Sequence, residues 1–162
     1  MLEKKLENLV VELKENQDVL AQIYDCMYDE VYRYIYSIVH NKEYAQDLTH
    51  DTFIQVYRNV HLYKPKGNAK AWIITISRNV TYMSLRKLSR EQVVDYEIDG
   101  VDEGMNGIHD KMMIKRMMKI LCQDESEIII LHVVEGLKFK EIAQIMDLKL
   151  STVLNKYHRS LK

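Results

Sequence analysis

Apolar residues near the start of the chain recur at the three- and four-residue spacing of a helix. A first series predicts an amphipathic N-terminal helix and comprises Leu2, Leu6, Leu9, Val10 and Leu13. A second series predicts a longer helix and comprises Tyr24, Met27, Tyr28, Val31, Ile35, Ile38 and Val39. The pair His40-Asn41 breaks the spacing, so we expect a new helix to begin after it.

The third and fourth predicted helices are separated by a loop. The third has an inward face of Ala45, Leu48, Phe53, Val56 and Val60. Asp47, Asp51 and Gln55 follow one another at intervals of four and therefore share a different face of this helix. Pro65 and Gly67 mark the loop, which is rich in lysine. The fourth helix is expected to turn inward Trp72, Ile73, Ile76, Val80 and Met83.

Residues 1–88 are thus predicted to form one helical domain, and residues 89–110 a flexible linker. Residues 91–110 contain seven acids, no Lys or Arg and no clear periodicity. A second domain, residues 111–162, begins with the apolar series Ile114, Met117, Met118 and Leu121. Asp124 is a candidate N-cap, with Glu127 three residues further on, and Gly136 is placed to end that helix.

The end of the chain has the pattern of a helix-turn-helix between Phe139 and Arg159. Ala143 falls where two helices cross closely, and Asp147 occupies the turn, where a left-handed backbone is needed. Ser151 is a candidate cap of the second helix. The predicted core between the two helices comprises Ile142, Met146, Leu148, Val153 and Tyr157.

The composition favours an all-α protein, because one proline and five glycines leave few places to break a helix. Two cysteines, Cys26 and Cys122, lie far apart in apolar segments, which argues against a disulfide framework and fits a reducing cytoplasm. No apolar run approaches the roughly 20 residues that span a bilayer. The charged N-terminus lacks the pattern of a signal peptide. We expect a soluble cytoplasmic protein.

A formal net charge of -1 conceals a strong segregation of charge. Residues 52–90 hold eight Lys or Arg and no acid. The same stretch contains Phe53, Tyr57, Tyr63, Trp72 and Tyr82. Cations attract phosphates, and aromatic rings can stack on unpaired bases. The pattern therefore predicts one surface for opened DNA strands and, in the helix-turn-helix, a second surface for duplex DNA.

Three segments carry a family resemblance: AQDLTHDTFIQVYRN at 45–59, AWIITISRN at 71–79, and the C-terminal helix-turn-helix. Together they resemble a compact bacterial RNA polymerase sigma factor of the sigma-70 family, of the extracytoplasmic-function (ECF, group IV) type. The resemblance covers about residues 24–161. It implies two small helical domains, sigma region 2 and sigma region 4. It also implies a transcription initiation factor that binds core RNA polymerase, directs it to -35/-10 promoters and promotes strand opening.

The resemblance also assigns roles to particular residues. It implies that the clamp coiled coil of core RNA polymerase is bound by Asp47, Leu48, Asp51 and Gln55, with Leu48 supporting the helix from inside. It implies that the -10 element is captured by the loop from His61 to Ala69 and the helix that follows. It implies that this element is bound by Lys64, Lys66, Lys70, Arg78, Asn79, Arg86 and Lys87. It implies that the -35 element is read in the major groove by Ser151, Thr152, Asn155, Lys156, His158 and Arg159. We expect the first domain to hold DNA and polymerase on opposite sides.

Three positions depart from the usual family pattern. Ser151 stands where Gly is common, Leu154 where Lys is common, and Ser84 where Asp is common. The change at Leu154 removes one expected phosphate contact. The resemblance further implies a cognate anti-sigma factor, often membrane-anchored, and no catalysis, metal, cofactor or small-molecule substrate. Residues 1–23 lie outside the strongest resemblance.

Alternatives from other classes make different predictions. A metal-dependent phosphohydrolase would use the doublets His50-Asp51 and His109-Asp110, but His50 lacks a companion histidine at helical spacing and a metal site needs converging ligands. A conventional repressor or activator would bind its operator without polymerase, and it leaves the basic, acid-free stretch unexplained. A protein-interaction module predicts no contact with nucleic acid.

Overall fold

The computed structural model describes residues 2–65, 67–91 and 123–161. All regular structure in these ranges is helical, which confirms the all-α fold. The chain divides into two compact units, Met1–Glu97 and Ile98–Lys162. Most of the predicted linker lies outside the described residues, as do the first apolar positions predicted for the second domain, through Leu121.

Four helices and a short turn build the first unit. They are α1 (Leu2–Glu12), α2 (Val19–Val39), α3 (Lys42–Asn59), a 3-10 turn (Val60–Leu62) and α4 (Ala69–Glu91). The helix α2 packs against α1, α3 and α4, and α3 also packs against α4. All four helices were predicted from the apolar spacing. The last of them continues beyond the predicted domain end at residue 88.

The predicted break between α2 and α3 is confirmed and has two causes. His40 adopts a left-handed backbone with φ 49°, and its N–H donates to the carbonyl of Tyr36, which ends α2. Asn41 is extended, and its side-chain oxygen accepts a hydrogen bond from the N–H of Tyr44 at 2.8 Å. An Asn cap of this kind satisfies one of the amides that the first turn of a helix leaves without a partner.

The buried face of α4 differs from the prediction at one end. Ile73 and Ile74 are fully buried, as are Ser77 and Thr81, whereas Met83 is 67% exposed. The inward placement of Met83 was therefore wrong. Short hydroxyl side chains fit against α2 and α3, and Thr81 satisfies its hydroxyl by donating to the carbonyl of Ser77 at 2.8 Å. The apolar stripe of α4 thus lies beside its buried face and reaches the surface.

The second unit contains α5 (Gln123–Ile129), which continues as a π-helical turn (Ile130–Val134), then α6 (Phe139–Ile145) and α7 (Leu150–Ser160). Gly136 ends the first of these with φ 70°, as predicted. Asp124 was wrongly predicted as a cap, because the described helix already includes Gln123. Ile128, Leu131, Ile142 and Val153 are fully buried between the three helices.

The helix-turn-helix forms between α6 and α7 as the sequence predicted. Ala143 is buried, and Asp147 occupies the turn with φ 53°. Ser151 does not cap α7: the N-cap position is Lys149, and Ser151 lies in the first turn of the helix. Of the helices that the structure describes, none has the length and apolar character needed to cross a membrane.

Candidate polymerase and DNA interfaces

The acidic row on α3 has an exposed part and a half-buried part. Asp47 and Asp51 are exposed, one turn apart on the same helix. Gln55 is half-buried. Its main-chain carbonyl and its side-chain oxygen both accept from the side-chain amide of Asn59, at 2.8 and 3.3 Å. Leu48 is only 2% exposed, so it can support this surface but cannot touch a partner. Of this row, the two carboxylates are therefore the part that a partner can reach.

A groove with a cavity volume of ≈ 690 Å³ lies between α3 and α4. Its apolar lining includes three strongly exposed side chains, Ile54, Leu62 and Met83, at 47%, 63% and 67%. Its full lining is Asp51, Ile54, Gln55, Arg58, Asn59, Leu62, Trp72, Thr75, Ile76, Asn79, Val80 and Met83. The apolar stripe of α4 was predicted to face the core of the domain, but most of it forms a wall of this groove.

The groove corrects the expectation that the residues predicted to bind polymerase and those predicted to bind DNA lie on opposite sides of the first domain. Asp51 and Gln55, predicted to bind polymerase, line the same cavity as Asn79, predicted to bind DNA. They meet because α3 and α4 pack side by side and each turns one flank toward the space between them. The two predicted surfaces are therefore contiguous along this groove.

A compact loop joins α3 to α4. Tyr63, which is 3% exposed, contacts the ring of Trp72 at 5.1 Å between centroids. The N–H of Gly67 donates to the carbonyl of Lys64 at 3.1 Å and closes a turn. Asn68 accepts from the N–H of Ala71 at 3.2 Å through its side chain and so caps α4. The loop is thus held by hydrogen bonds at both ends.

The residues predicted to bind the -10 element do not all lie together. Lys64 is exposed on the loop, and Lys66 lies outside the described residues. The ammonium of Lys70 pairs with the Glu30 carboxylate of α2 at 2.8 Å. Arg78 lies over the ring of Tyr82, 4.7 Å from its centroid.

The rest of this set extends along α4. Asn79, Arg86 and Lys87 are exposed. Asn79 and Arg86 are seven residues apart and therefore share one face of the helix. A helix of 23 residues is about 34 Å long. Arg78 and Lys87 are nine residues apart and therefore lie on opposite sides of the helix, so the cations of α4 do not converge on one point.

The residues of α7 that were predicted to read DNA include two cations that form ion pairs with α5. Ser151, Asn155, His158 and Arg159 are exposed, and Thr152 and Lys156 are half-buried. Lys156 Nζ donates to a carboxylate oxygen of Asp124 at 3.0 Å. Arg159 Nε donates to Glu125 at 2.6 Å. Both acids belong to the first turn of α5, so these cations also fasten α7 to α5.

A row of tyrosines on α2 was not singled out from the sequence. Tyr24, Tyr28, Tyr32 and Tyr36 are half-buried, and their successive ring centroids lie 5.1, 6.1 and 6.0 Å apart. The hydroxyl of Tyr24 lies 3.2 Å from Nδ1 of His50 on α3. Burial raises the pKa of the Tyr24 phenol, and the neighbouring Tyr28 adds to this. The four-residue interval between these tyrosines was the signal that could have revealed the row.

Two histidines in the described ranges, His50 and His132, take part in packing. The ring of His50 stacks on Tyr24. His132 stacks on Phe139 at 4.1 Å, and its Nδ1 lies 2.9 Å from the carbonyl of Leu137. Among the described residues no group of three or more His, Cys, Asp or Glu side chains is placed to hold a metal ion. His109 and Cys122 lie outside these ranges.

Two family models match the chain. Sigma-70 region 2 matches residues 23–91, and Sigma-70, region 4 matches residues 111–162. These matches cover most of the chain in the order of its two compact units. The chain therefore belongs to the sigma-70 family of RNA polymerase sigma factors. Sigma factors act in promoter-specific transcription initiation with RNA polymerase and are regulators, not enzymes.

Curated relatives place the chain in the ECF group of this family. It is 31% identical over 140 residues to the ECF RNA polymerase sigma factor SigE of Mycolicibacterium smegmatis, covering 81% of this chain and 54% of that protein. It is 23% identical over 175 residues to the ECF RNA polymerase sigma factor SigW of Bacillus subtilis, covering 98% and 92%. The chain thus spans about half the length of the first relative and nearly all of the second.

Solved structures share the fold. The sigma factor RpoE in complex with the anti-sigma factor NepR from Bartonella quintana gives a TM-score of 0.67 at 24% identity, covering 86% of this chain and 90% of that one. CnrH in complex with the cytosolic domain of CnrY gives 0.66 at 17% identity, covering 99% and 92%. The two-domain helical sigma fold predicted from the sequence is confirmed.

Proposed function

We propose that this sigma factor binds core RNA polymerase through the exposed carboxylates of α3, captures the -10 element with the 61–69 loop and α4, and reads the -35 element with α7. In this scheme residues 1–88 form the polymerase and -10 domain, and residues 111–162 form the -35 domain. The protein promotes strand opening in the cytoplasm, while the polymerase performs the chemistry.

One observation carries the assignment of the -10 surface. The acid-free stretch 52–90 supplies the loop, the exposed cations Arg86 and Lys87 of α4, and most of the groove between α3 and α4. Apolar walls suit the face of an unstacked base, and the amide of Asn79 on the rim can hydrogen-bond to a base edge. Flipping a base costs a few kcal/mol. Stacking, at about 1–3 kcal/mol per base, can offset that cost.

The polymerase surface is supported by charge. Asp47 and Asp51 are exposed neighbours on α3 and would repel a phosphate backbone, so they suit a basic protein partner better than DNA. The clamp coiled coil of core RNA polymerase is the partner implied by the family resemblance. A cognate anti-sigma factor, membrane-anchored in many family members, would cover the same surfaces and keep the protein inactive.

The test separates recruitment from opening. Replacing Lys64 and Lys66 with Ala in the full chain should slow open-complex formation more than it weakens recruitment of the holoenzyme to promoter DNA. Replacing Lys70 alone should have a smaller effect, because its ammonium is already paired with Glu30. The matched control is Lys4→Ala with Lys5→Ala, which removes the same charge from exposed positions on α1. Equal losses in the two steps would count against the loop assignment.

A further inference from the structure

The helix α1 lies outside the part of the chain that the sigma region 2 family model matches, which begins at residue 23. Its apolar face is buried against α2 and α4, with Leu6, Leu9 and Val10 at 7%, 7% and 0% exposure, and Leu13 just after the helix is 2% exposed. Burial of this apolar face stabilises the first unit and does not by itself indicate a further role for α1. Polar contacts of the N-terminal segment, from Glu7 of α1 and from Lys14 just after it, go to the loop between α3 and α4.

Two side chains from the N-terminal segment reach this loop. Lys14, just after α1, donates from Nζ to the main-chain carbonyl of Tyr63 at 2.8 Å. The hydroxyl of Tyr63 lies 3.4 Å from a carboxylate oxygen of Glu7 and donates to the carbonyl of Gly67 at 3.1 Å. Tyr63 also packs on Trp72 in the first turn of α4. A single chain of contacts therefore runs from α1 through Tyr63 to both ends of the loop.

The environment of Tyr63 fits this role. Burial, followed by the charge and hydrogen bond of Glu7, raises the pKa of its phenol to about 12. The raised pKa reflects the enclosure of the hydroxyl by the protein and its closeness to the Glu7 carboxylate. A charge-assisted hydrogen bond from an ammonium to a carbonyl is stronger than a neutral one. The loop is thus held by two donors, the ammonium of Lys14 and the hydroxyl of the buried Tyr63.

We propose that the N-terminal segment positions the -10 loop of this sigma factor, with Lys14, Glu7 and Tyr63 as positioning residues for DNA capture. This inference rests on the proposed function, since it takes the 61–69 loop to be the part that meets the -10 strand. A loop fixed before binding does not have to be ordered at the moment of capture, so the conformational entropy of its ordering does not oppose binding. Residues 1–22 would thereby influence promoter opening without touching DNA.

The experiment uses full-length variants and two independent readouts. Lys14→Met removes the ammonium but keeps an unbranched stem, and Tyr63→Phe removes the hydroxyl but keeps the ring. Trp72 is the only tryptophan of the chain and touches Tyr63, so its fluorescence reports on the loop in the free protein. The second readout is the rate of open-complex formation by the reconstituted holoenzyme.

Lys14→Met and Tyr63→Phe should change the emission and quencher accessibility of Trp72 and slow opening on the order of tenfold, the scale of one charge-assisted hydrogen bond. Affinity for core polymerase should stay unchanged. Lys14→Arg, which retains a donor, should restore most of the rate. The matched control Lys5→Met removes an exposed lysine from α1 itself and should change neither readout.

Two results would overturn the inference. One is identical behaviour of Lys14→Met and Lys5→Met in both readouts. The other is a changed Trp72 signal with normal opening, in a holoenzyme whose opening does slow when Lys64 and Lys66 are replaced. Failure of the proposed function would give a different result. Replacing Lys64 and Lys66 would then leave the rate of open-complex formation unchanged, whether or not Lys14→Met alters the Trp72 fluorescence.

Discussion

Lys156 Nζ lies 3.0 Å from Oδ2 of Asp124, so a cation of α7, the helix proposed to read the -35 element, is held by the first turn of α5. The side chain of Lys156 is 23% exposed and that of Asp124 is 46% exposed. An ion pair this open to water contributes only about 0–1 kcal/mol to stability. A DNA phosphate can therefore compete with Asp124 for Lys156. Pairing with Asp124 lowers the affinity of Lys156 for that phosphate.

Replacing Asp124 with Asn should strengthen binding of the -35 duplex and steepen its salt dependence, because Lys156 becomes available to a phosphate. Replacing Lys156 with Ala should weaken binding and lower the salt slope by about one. Both are measured with the holoenzyme on duplex promoter DNA over a series of salt concentrations. Asp147→Asn removes the same charge at a left-handed position that Asn tolerates, and it serves as the control. Equal affinities for the two Asn variants would refute the competition.

Charge reversal at Asp47 and Asp51 should abolish binding to core polymerase while leaving the helical content intact. Both side chains are exposed on α3, so Lys is accommodated there without disturbing the core. Circular dichroism gives the helical content, and pull-down of core gives the binding. Glu12→Lys with Glu15→Lys reverses two exposed charges at the end of α1 and just after it, and should bind core normally. Retention of core by the Asp47/Asp51 variant would disprove the interface.

Replacing Ser77 with Ala should stabilise the first unit by about 1 kcal/mol. Ser77 is fully buried, and its hydroxyl has no hydrogen-bond partner within the described structure. A buried hydroxyl without a partner costs free energy, and Ala is the better helix former. The measurement is denaturant unfolding. Thr81→Ala, one turn further along α4, removes a hydroxyl that does donate, and it should destabilise. A loss of stability in Ser77→Ala would show that its hydroxyl is in fact satisfied.

His40 makes the stability of the first unit depend on pH. Burial lowers its pKa below the ordinary value of 6.5, so the folded protein resists protonation at this ring. The unfolded chain then binds more protons than the folded one as pH falls below 6.5. The contribution of His40 is present above that value and is lost as pH falls through the folded pKa.

His40→Asn should therefore flatten the pH dependence of the unfolding free energy between neutral and mildly acidic pH. Asn is chosen because it tolerates the left-handed backbone at this position. Chemical denaturation at a series of pH values gives the comparison. His61→Asn, which replaces an exposed histidine in the same unit, is the matched control for the loss of one imidazole. Parallel curves for wild type and His40→Asn would contradict the assignment.

The helices of the first unit could be predicted because their apolar spacing, the His40-Asn41 break and the loop at Pro65 are all local features. The side of α4 that faces the core could not. Its apolar stripe and its buried face are adjacent, and the buried face contains Ser77 and Thr81, which hydropathy assigns to solvent. Only the packing of α2 and α3 against it decides which stripe is covered.

The candidate sites show the same limit. The four-residue interval between Asp47 and Asp51 predicted that they share a face of α3, and both are exposed. The pairing of Lys156 with Asp124 joins residues 32 positions apart, and no local pattern indicates it. The contact of Lys14 with Tyr63 spans 49 positions and depends on how α1 docks. Contacts of this kind follow from tertiary structure and had to be observed.

The most direct measurement is transcription by purified sigma-free core polymerase supplemented with this protein, on fragmented genomic DNA, with start sites mapped by sequencing. We predict initiation at a limited set of sites that share -35 and -10 sequences, and none when Asp47 and Asp51 are both changed to Lys. The absence of initiation at every site, with no inhibitor present and core polymerase active with another sigma factor, would contradict the account.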